Sequence, residues 1–121
     1  MTATPVELDD RPGATVVHVR ACLDAAVAPD LREALAAAVR RHPHVVIDLA
    51  GVHTLDDTGL GVLVRAHRTA RRDGGVVCLV APSRFVLTVL HTMHVDGLFP
   101  VFDDCAEALD WLRAGTPYAR S

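Results

Sequence analysis

Two adjacent carboxylates, Asp56 and Asp57, sit in the stretch of this 121-residue chain with the most chemical content. Asp48-Leu49-Ala50-Gly51-Val52-His53-Thr54-Leu55 precedes them and Thr58-Gly59-Leu60-Gly61 follows. The apolar run before them reads as a buried strand. The spacing of Leu60, Leu63, Val64 and His67 after them reads as a helix, so the pair falls at a helix start. The first N–H groups of a helix have no intrahelical partner, which suits Asp56 as N-cap and Asp57 in the first turn. A negative charge there gains about 0.3–1 kcal/mol from the helix dipole. The same end of a helix is a natural phosphate site. Two readings stay open on these residues alone: a helix cap, or an edge that handles phosphate or a partner. Gly59 and Gly61 bear on the choice, because each costs about 1 kcal/mol against Ala inside a helix. Close approach by another backbone or by a partner would account for both.

Other chemistries lack parts. Among seven histidines, His91 and His94 are three apart, and His42 and His44 flank Pro43. No Cys/His/Asp group has zinc spacing, so no metal is expected. His67 falls on the apolar face of its helix and reads as a core or boundary histidine. Cys22, Cys78 and Cys105 are odd in number and widely spaced; they read as small buried hydrophobes in a reducing cytosol. All twelve basic residues are Arg. The absence of Lys removes chemistry that pairs a phosphoacceptor Asp with a later Lys. There is no Asp-x-Asp near the N-terminus, no nucleophile elbow and no Gly-rich phosphate loop. The chain reads as a binding module without a cofactor, not as an enzyme. A net charge of −3 argues against nucleic acid as partner. The opening Met1-Thr2-Ala3-Thr4-Pro5 has no apolar targeting run and no stretch is long enough to span a membrane, so a cytoplasmic protein is expected.

The elements that must position the carboxylates alternate along the chain. Residues 15–20, 44–49 and 76–80 are short, apolar and rich in β-branched residues, and read as strands. Residues 28–41 place Leu31, Leu35, Ala38 and Val39 on one helical face, with Pro29 and Asp30 at the start and Arg40 and Arg41 at the end. Residues 57–72 form the helix that begins at the carboxylates and stop at Asp73-Gly74-Gly75. Its Leu60 and Leu63 should face the core, and Arg65, Arg68 and Arg72 its exposed side. Pro82 and Ser83 open a third helix with Val86, Val89, Leu90 and Met93 on one face. Residues 104–114 form the last, through Cys105, Ala108, Leu109 and Leu112. Such alternation implies parallel crossovers in an α/β sheet.

The stretch Val45 to Val64 resembles the signature of STAS-domain anti-sigma factor antagonists, in which a strand and loop lead into Asp-Ser-Ser/Thr-Gly-Leu-Gly at a helix start. Ala21-Cys22-Leu23-Asp24 stands where that family has Gly-Glu-Leu-Asp. Ala28-Pro29-Asp30-Leu31, Asp73-Gly74-Gly75 and Val89 to Phe102 also resemble family segments. The resemblance implies a STAS fold over residues 1–115; residues 116–121 read as a flexible tail. It implies a mixed sheet of four to five strands with about four helices, mainly on one face. It further implies partner switching. The antagonist binds a cytosolic anti-sigma factor of serine-kinase type and frees a sigma factor. Phosphorylation releases the antagonist, and a phosphatase resets it. The partner-binding edge would comprise Asp24, Asp56, Asp57, Thr58, Gly59, Leu60, Gly61, Arg65 and Arg68.

Departures from the pattern sharpen the question. The family's phosphoserine position is occupied by Asp57, which no serine kinase can modify, while Thr58 keeps a hydroxyl. Asp57 carries part of a phosphoserine's charge and oxygens. It implies a permanently phosphorylated-like state, an acceptor shifted to Thr58, or a partner that is not a kinase. STAS domains also serve as accessory subunits of membrane transporters, including lipid-transport complexes, where phosphorylation is not needed. Val27 replaces the usual Ser/Thr helix cap, and His94 stands where Gly is common.

Overall fold

A computed structural model describes residues 5–115. The tail expected over 116–121 lies outside the described residues. Five strands form one sheet in sequence order: β1 (Val6–Arg11), β2 (Ala14–Val19), β3 (Val45–Asp48), β4 (Val77–Val80) and β5 (Val101–Phe102). Strands β1 and β2 pair antiparallel, and β2 through β5 pair parallel. The helices are α1 (Ala28–Arg41), α2 (Asp57–Arg72), α3 (Arg84–Thr92) and α4 (Cys105–Arg113), with a single 3₁₀ turn at Asp96–Leu98. Each parallel pair is joined by a helical crossover, as parallel strands require. The bounds of α1 and α2 coincide with those read from the sequence, and strand ends differ by about one residue, the usual scatter at termini.

Strand β1 was not legible as a strand. Val6 and Leu8 point to one face, while Glu7, Asp9 and Arg11 share the other with Ala14 and Val16. Pro12 and Gly13 make the two-residue turn into β2, and Gly13 takes φ +96°, where a side chain would be strained.

The pleat divides the core in two. Val17, Val45, Ile47, Val77 and Leu79 face α1, α2 and α3; Val16, Val46, Cys78 and Val80 face α4. Three helices therefore cover one face and a single helix the other. Each large aliphatic side chain buried this way stabilises the fold by about 1.5–3 kcal/mol. The cysteines divide as well. Cys78 is fully buried, and its thiol is pushed up to about 12 by desolvation, but Cys22 and Cys105 are only half-buried. Met93 also departs from its expected place on the core face of α3. The helix ends at Thr92, and Met93, just past its last turn, is 48% exposed. Among the described residues no helix is long and apolar enough to cross a membrane.

Candidate functional site

The loops after β2, β3 and β4 meet at the C-terminal edge of the parallel strands, the usual place for a site in an open α/β sheet. The first two are zipped together. Leu23 N–H donates to the Thr54 carbonyl at 3.0 Å, and Asp56 N–H donates to the Leu23 carbonyl at 2.9 Å, forming a parallel bridge between Leu23 and Leu55. The third loop joins through Ser83, whose hydroxyl donates to the His53 carbonyl at 3.4 Å and whose oxygen caps α3 by accepting from Val86 N–H at 3.1 Å. Helix α2 thus starts from a loop held on both flanks.

Asp56 is the N-cap of α2. Its extended backbone turns the chain, and its carboxylate accepts from Gly59 N–H at 3.0 Å. Asp57 follows in the first turn and is exposed, as is Thr58. No described residue makes a hydrogen bond or ion pair to the Asp57 carboxylate. The two adjacent carboxylates therefore do different work. One satisfies the helix end, and the other projects a charge outward.

The two glycines also separate. A Cβ on Gly59 would lie 2.5 Å from the Leu23 carbonyl oxygen and 2.8 Å from the Leu23 Cβ, so Gly59 is the residue that lets the β2–α1 loop close onto α2. Gly61 has nothing within 4 Å of the point where a Cβ would stand, and it lies on the surface. Of the two accounts of these glycines, close approach by another backbone applies to Gly59; at Gly61, which faces out from the helix, no described residue comes near, and the partner account stays open.

Asp24 reaches this edge through Leu23. Its carboxylate accepts from Ala26 N–H at 3.0 Å and Val27 N–H at 3.2 Å, and its carbonyl accepts from Ala28 N–H at 2.9 Å. Val27 supplies no side-chain cap to α1. Asp24 takes over part of that task as a turn residue, which holds the loop carrying Leu23 against Gly59.

Down α2, a shallow groove runs past Asp57, Gly61, Val64, Arg68, Arg72 and Met93. It gathers Asp57, Leu60, Gly61, Arg65 and Arg68 of the expected edge on one surface. Gly59 is buried and supports the edge from beneath, while Leu60, 6% exposed, forms part of the groove's floor. Met93 and Val64 line the groove as well, although nothing in the sequence assigns them to the edge. Met93's place could have been read only by knowing that α3 ends one residue earlier. Behind the groove, His67 is buried edge-on to Phe99 with ring centres 5.5 Å apart, and its Nδ1 has no partner among the described residues. Burial lowers its pKa, and the nearby Arg71 and Arg68 charges lower it further. Among the described residues no group of three His, Cys, Asp or Glu could hold a metal ion.

This arrangement has counterparts. The STAS domain family model matches residues 5–108. A Paenibacillus polymyxa protein named as an anti-sigma F factor antagonist is 27% identical over 111 residues, covering 86% of this chain and 91% of its own. A Thermotoga maritima relative is 29% identical over 69 residues, 57% of this chain and 61% of its own, so the match spans about three-fifths of that protein. In three dimensions, the crystal structure of an anti-sigma factor antagonist from Mycobacterium paratuberculosis superposes with a TM-score of 0.79 at 29% identity, over 89% of this chain and 92% of that one. The family match covers all five strands and the helices of the Asp57 edge, and the chain belongs to the STAS domain family.

Proposed function

We propose that the chain is an anti-sigma factor antagonist that binds a cytosolic anti-sigma factor of serine-kinase type through the N-terminal edge of α2. In this reading it acts in a partner-switching pathway that controls sigma-factor-dependent transcription. The observation that carries it is the Asp57 carboxylate at the head of the α2 groove, exposed and without a partner among the described residues; by the resemblance it would stand where the family has a phosphoserine. Gly61 supports it: a residue without a side chain, open to solvent, costs the helix about 1 kcal/mol and admits a partner's backbone. Asp57 then holds the surface in a phosphorylated-like, weakly binding state. A fixed negative charge opposes docking of an acidic or tightly packed partner, as a phosphate does.

The test is the affinity of the purified chain for the anti-sigma factor of its own genome, compared with Asp57→Ser and Asp57→Ala. Asp57→Ser should bind about tenfold more tightly without ATP and be released when ATP lets the kinase act. Equal affinity of the native chain and Asp57→Ser would sink the phosphorylated-like reading. Phosphate found on Thr58 of the native chain would replace it with a shifted acceptor and restore a role for a phosphatase. Binding to a transporter subunit, with none to an anti-sigma factor, would overturn the antagonist reading.

A further inference from the structure

A second surface adjoins the Asp57 groove along the same helix. Between α1 and α2 runs a slot floored by Leu35, Val39, Val62 and Ala66. Its rim is cationic, with Arg32 and Arg40 from α1 and Arg65 from α2. Arg32, Ala36 and Arg40 repeat every four residues and so form one stripe along α1. The small, exposed Ala36 leaves the slot open between Arg32 and Arg40, whose backbone positions lie about 12 Å apart along the axis. Asp73 is the single acid on the lining.

These cations are unspent. Arg11, Arg20, Arg41 and Arg113 each pair with a described carboxylate, whereas Arg32, Arg40 and Arg65 pair with none among the described residues. In a chain of net charge −3, three arginines that pair with no described residue around an apolar slot amount to a local charge reversal.

We propose that the α1–α2 slot docks an acidic amphipathic helix of a partner protein, with one aliphatic side chain in the slot and carboxylates on Arg32, Arg40 and Arg65. The separation of Arg32 and Arg40 matches two turns of a helix lying along α1. A nucleic acid offers phosphates but no aliphatic side chain for the slot, and the overall negative charge opposes it. A lipid surface is held by clusters of about four to eight basic residues, and the slot's apolar floor is buried below the helix ridges. The slot shares Arg65 and Thr69 with the Asp57 groove, whereas Arg32, Ala36 and Arg40 line the slot alone, and the proposal does not depend on which partner the Asp57 edge binds.

The test uses the full chain and a synthetic amphipathic helix of Leu and Glu, about 18 residues long so that it forms stable helix. A Leu/Lys helix, a DNA duplex and phosphatidylglycerol vesicles serve as the other arms. Amide shifts on adding the Leu/Glu peptide should concentrate at Ala36, Val39, Arg40 and Ala66. Arg40→Glu should weaken binding roughly fivefold or more, as should about 0.5 M salt. Ala36→Trp, which fills the slot from an exposed position, should weaken it as well. Unchanged thermal unfolding of both variants would show that the fold is intact. The proposal is overturned by no shift at these amides up to about 1 mM peptide. It is equally overturned by equal binding of the Leu/Lys helix, by tighter binding of DNA or vesicles through the same arginines, or by shifts confined to the Asp57 groove.

Discussion

The Leu23 carbonyl oxygen occupies the space where a side chain on Gly59 would begin, 2.5 Å from the position of a Cβ, while it accepts the Asp56 N–H at 2.9 Å. One backbone group thus fixes both the start of α2 and its distance from the preceding loop. The obstruction is backbone on both sides, so neither can yield without breaking the Leu23–Leu55 bridge.

Gly59→Ala should therefore destabilise the protein by about 3 kcal/mol, the upper end for overpacking a closed site. Chemical denaturation would measure the loss, and amide shifts should spread from Leu23 to Asp24. A change below about 1 kcal/mol would mean that the two loops are not locked together in solution.

Gly61→Ala should do the opposite to stability. Nothing lies near its added methyl, and helix propensity favours Ala by about 1 kcal/mol, so the unfolding midpoint should rise. If the α2 edge is the partner surface, the same substitution weakens binding. Stabilisation together with loss of affinity separates a glycine kept for a partner from one kept for the fold; stabilisation with unchanged affinity would remove Gly61 from the interface.

The contrast between these glycines marks where sequence reasoning stops. Both sit in a favourable helical pattern two residues apart, and only the tertiary structure shows that Leu23, far away in the chain, packs on one of them. Helices α1 and α2 were readable because local signals agreed: Pro29 and Asp56 at their starts, arginines in their last turns, Gly74 and Gly75 after α2. Strand β1 was not, because charged Glu7, Asp9, Asp10 and Arg11 outnumber its core-facing Val6 and Leu8. The alternation of those six residues and the Pro12–Gly13 turn were the signals available. The site residues were readable as a contiguous motif, whereas the division of labour between Asp56 and Asp57 depends on which carboxylate finds the Gly59 N–H.

That division predicts unequal effects of removing each charge. Asp56→Ala loses a helix cap and should cost about 1 kcal/mol. Asp57→Ala removes no hydrogen bond to a described residue and should change stability by less than half as much. Affinity for an anti-sigma factor should rank in reverse, with Asp57→Ala changing it more. Equal stability losses in thermal unfolding of the two variants would contradict the assigned cap.

Buried His67 gives the fold a pH dependence of defined sign. Burial, then Arg71 and Arg68, lower its pKa below the ordinary 6.5. His44 is lowered likewise by burial and by His42. Below about pH 6.5 the unfolded chain takes protons that the folded chain refuses, so stability is full above that pH and is lost as pH falls toward the folded-state pKa. Carboxylates such as Asp9, held below 3.8 chiefly by its hydrogen bond from Arg11, act only in a more acidic window. Denaturation midpoints should therefore fall between about pH 7.5 and about pH 5. His67→Phe should flatten that slope in part, leaving the share due to His44, while preserving the aromatic contact with Phe99. A slope unchanged in His67→Phe would show that this ring takes its proton as readily in the folded chain as in the unfolded one.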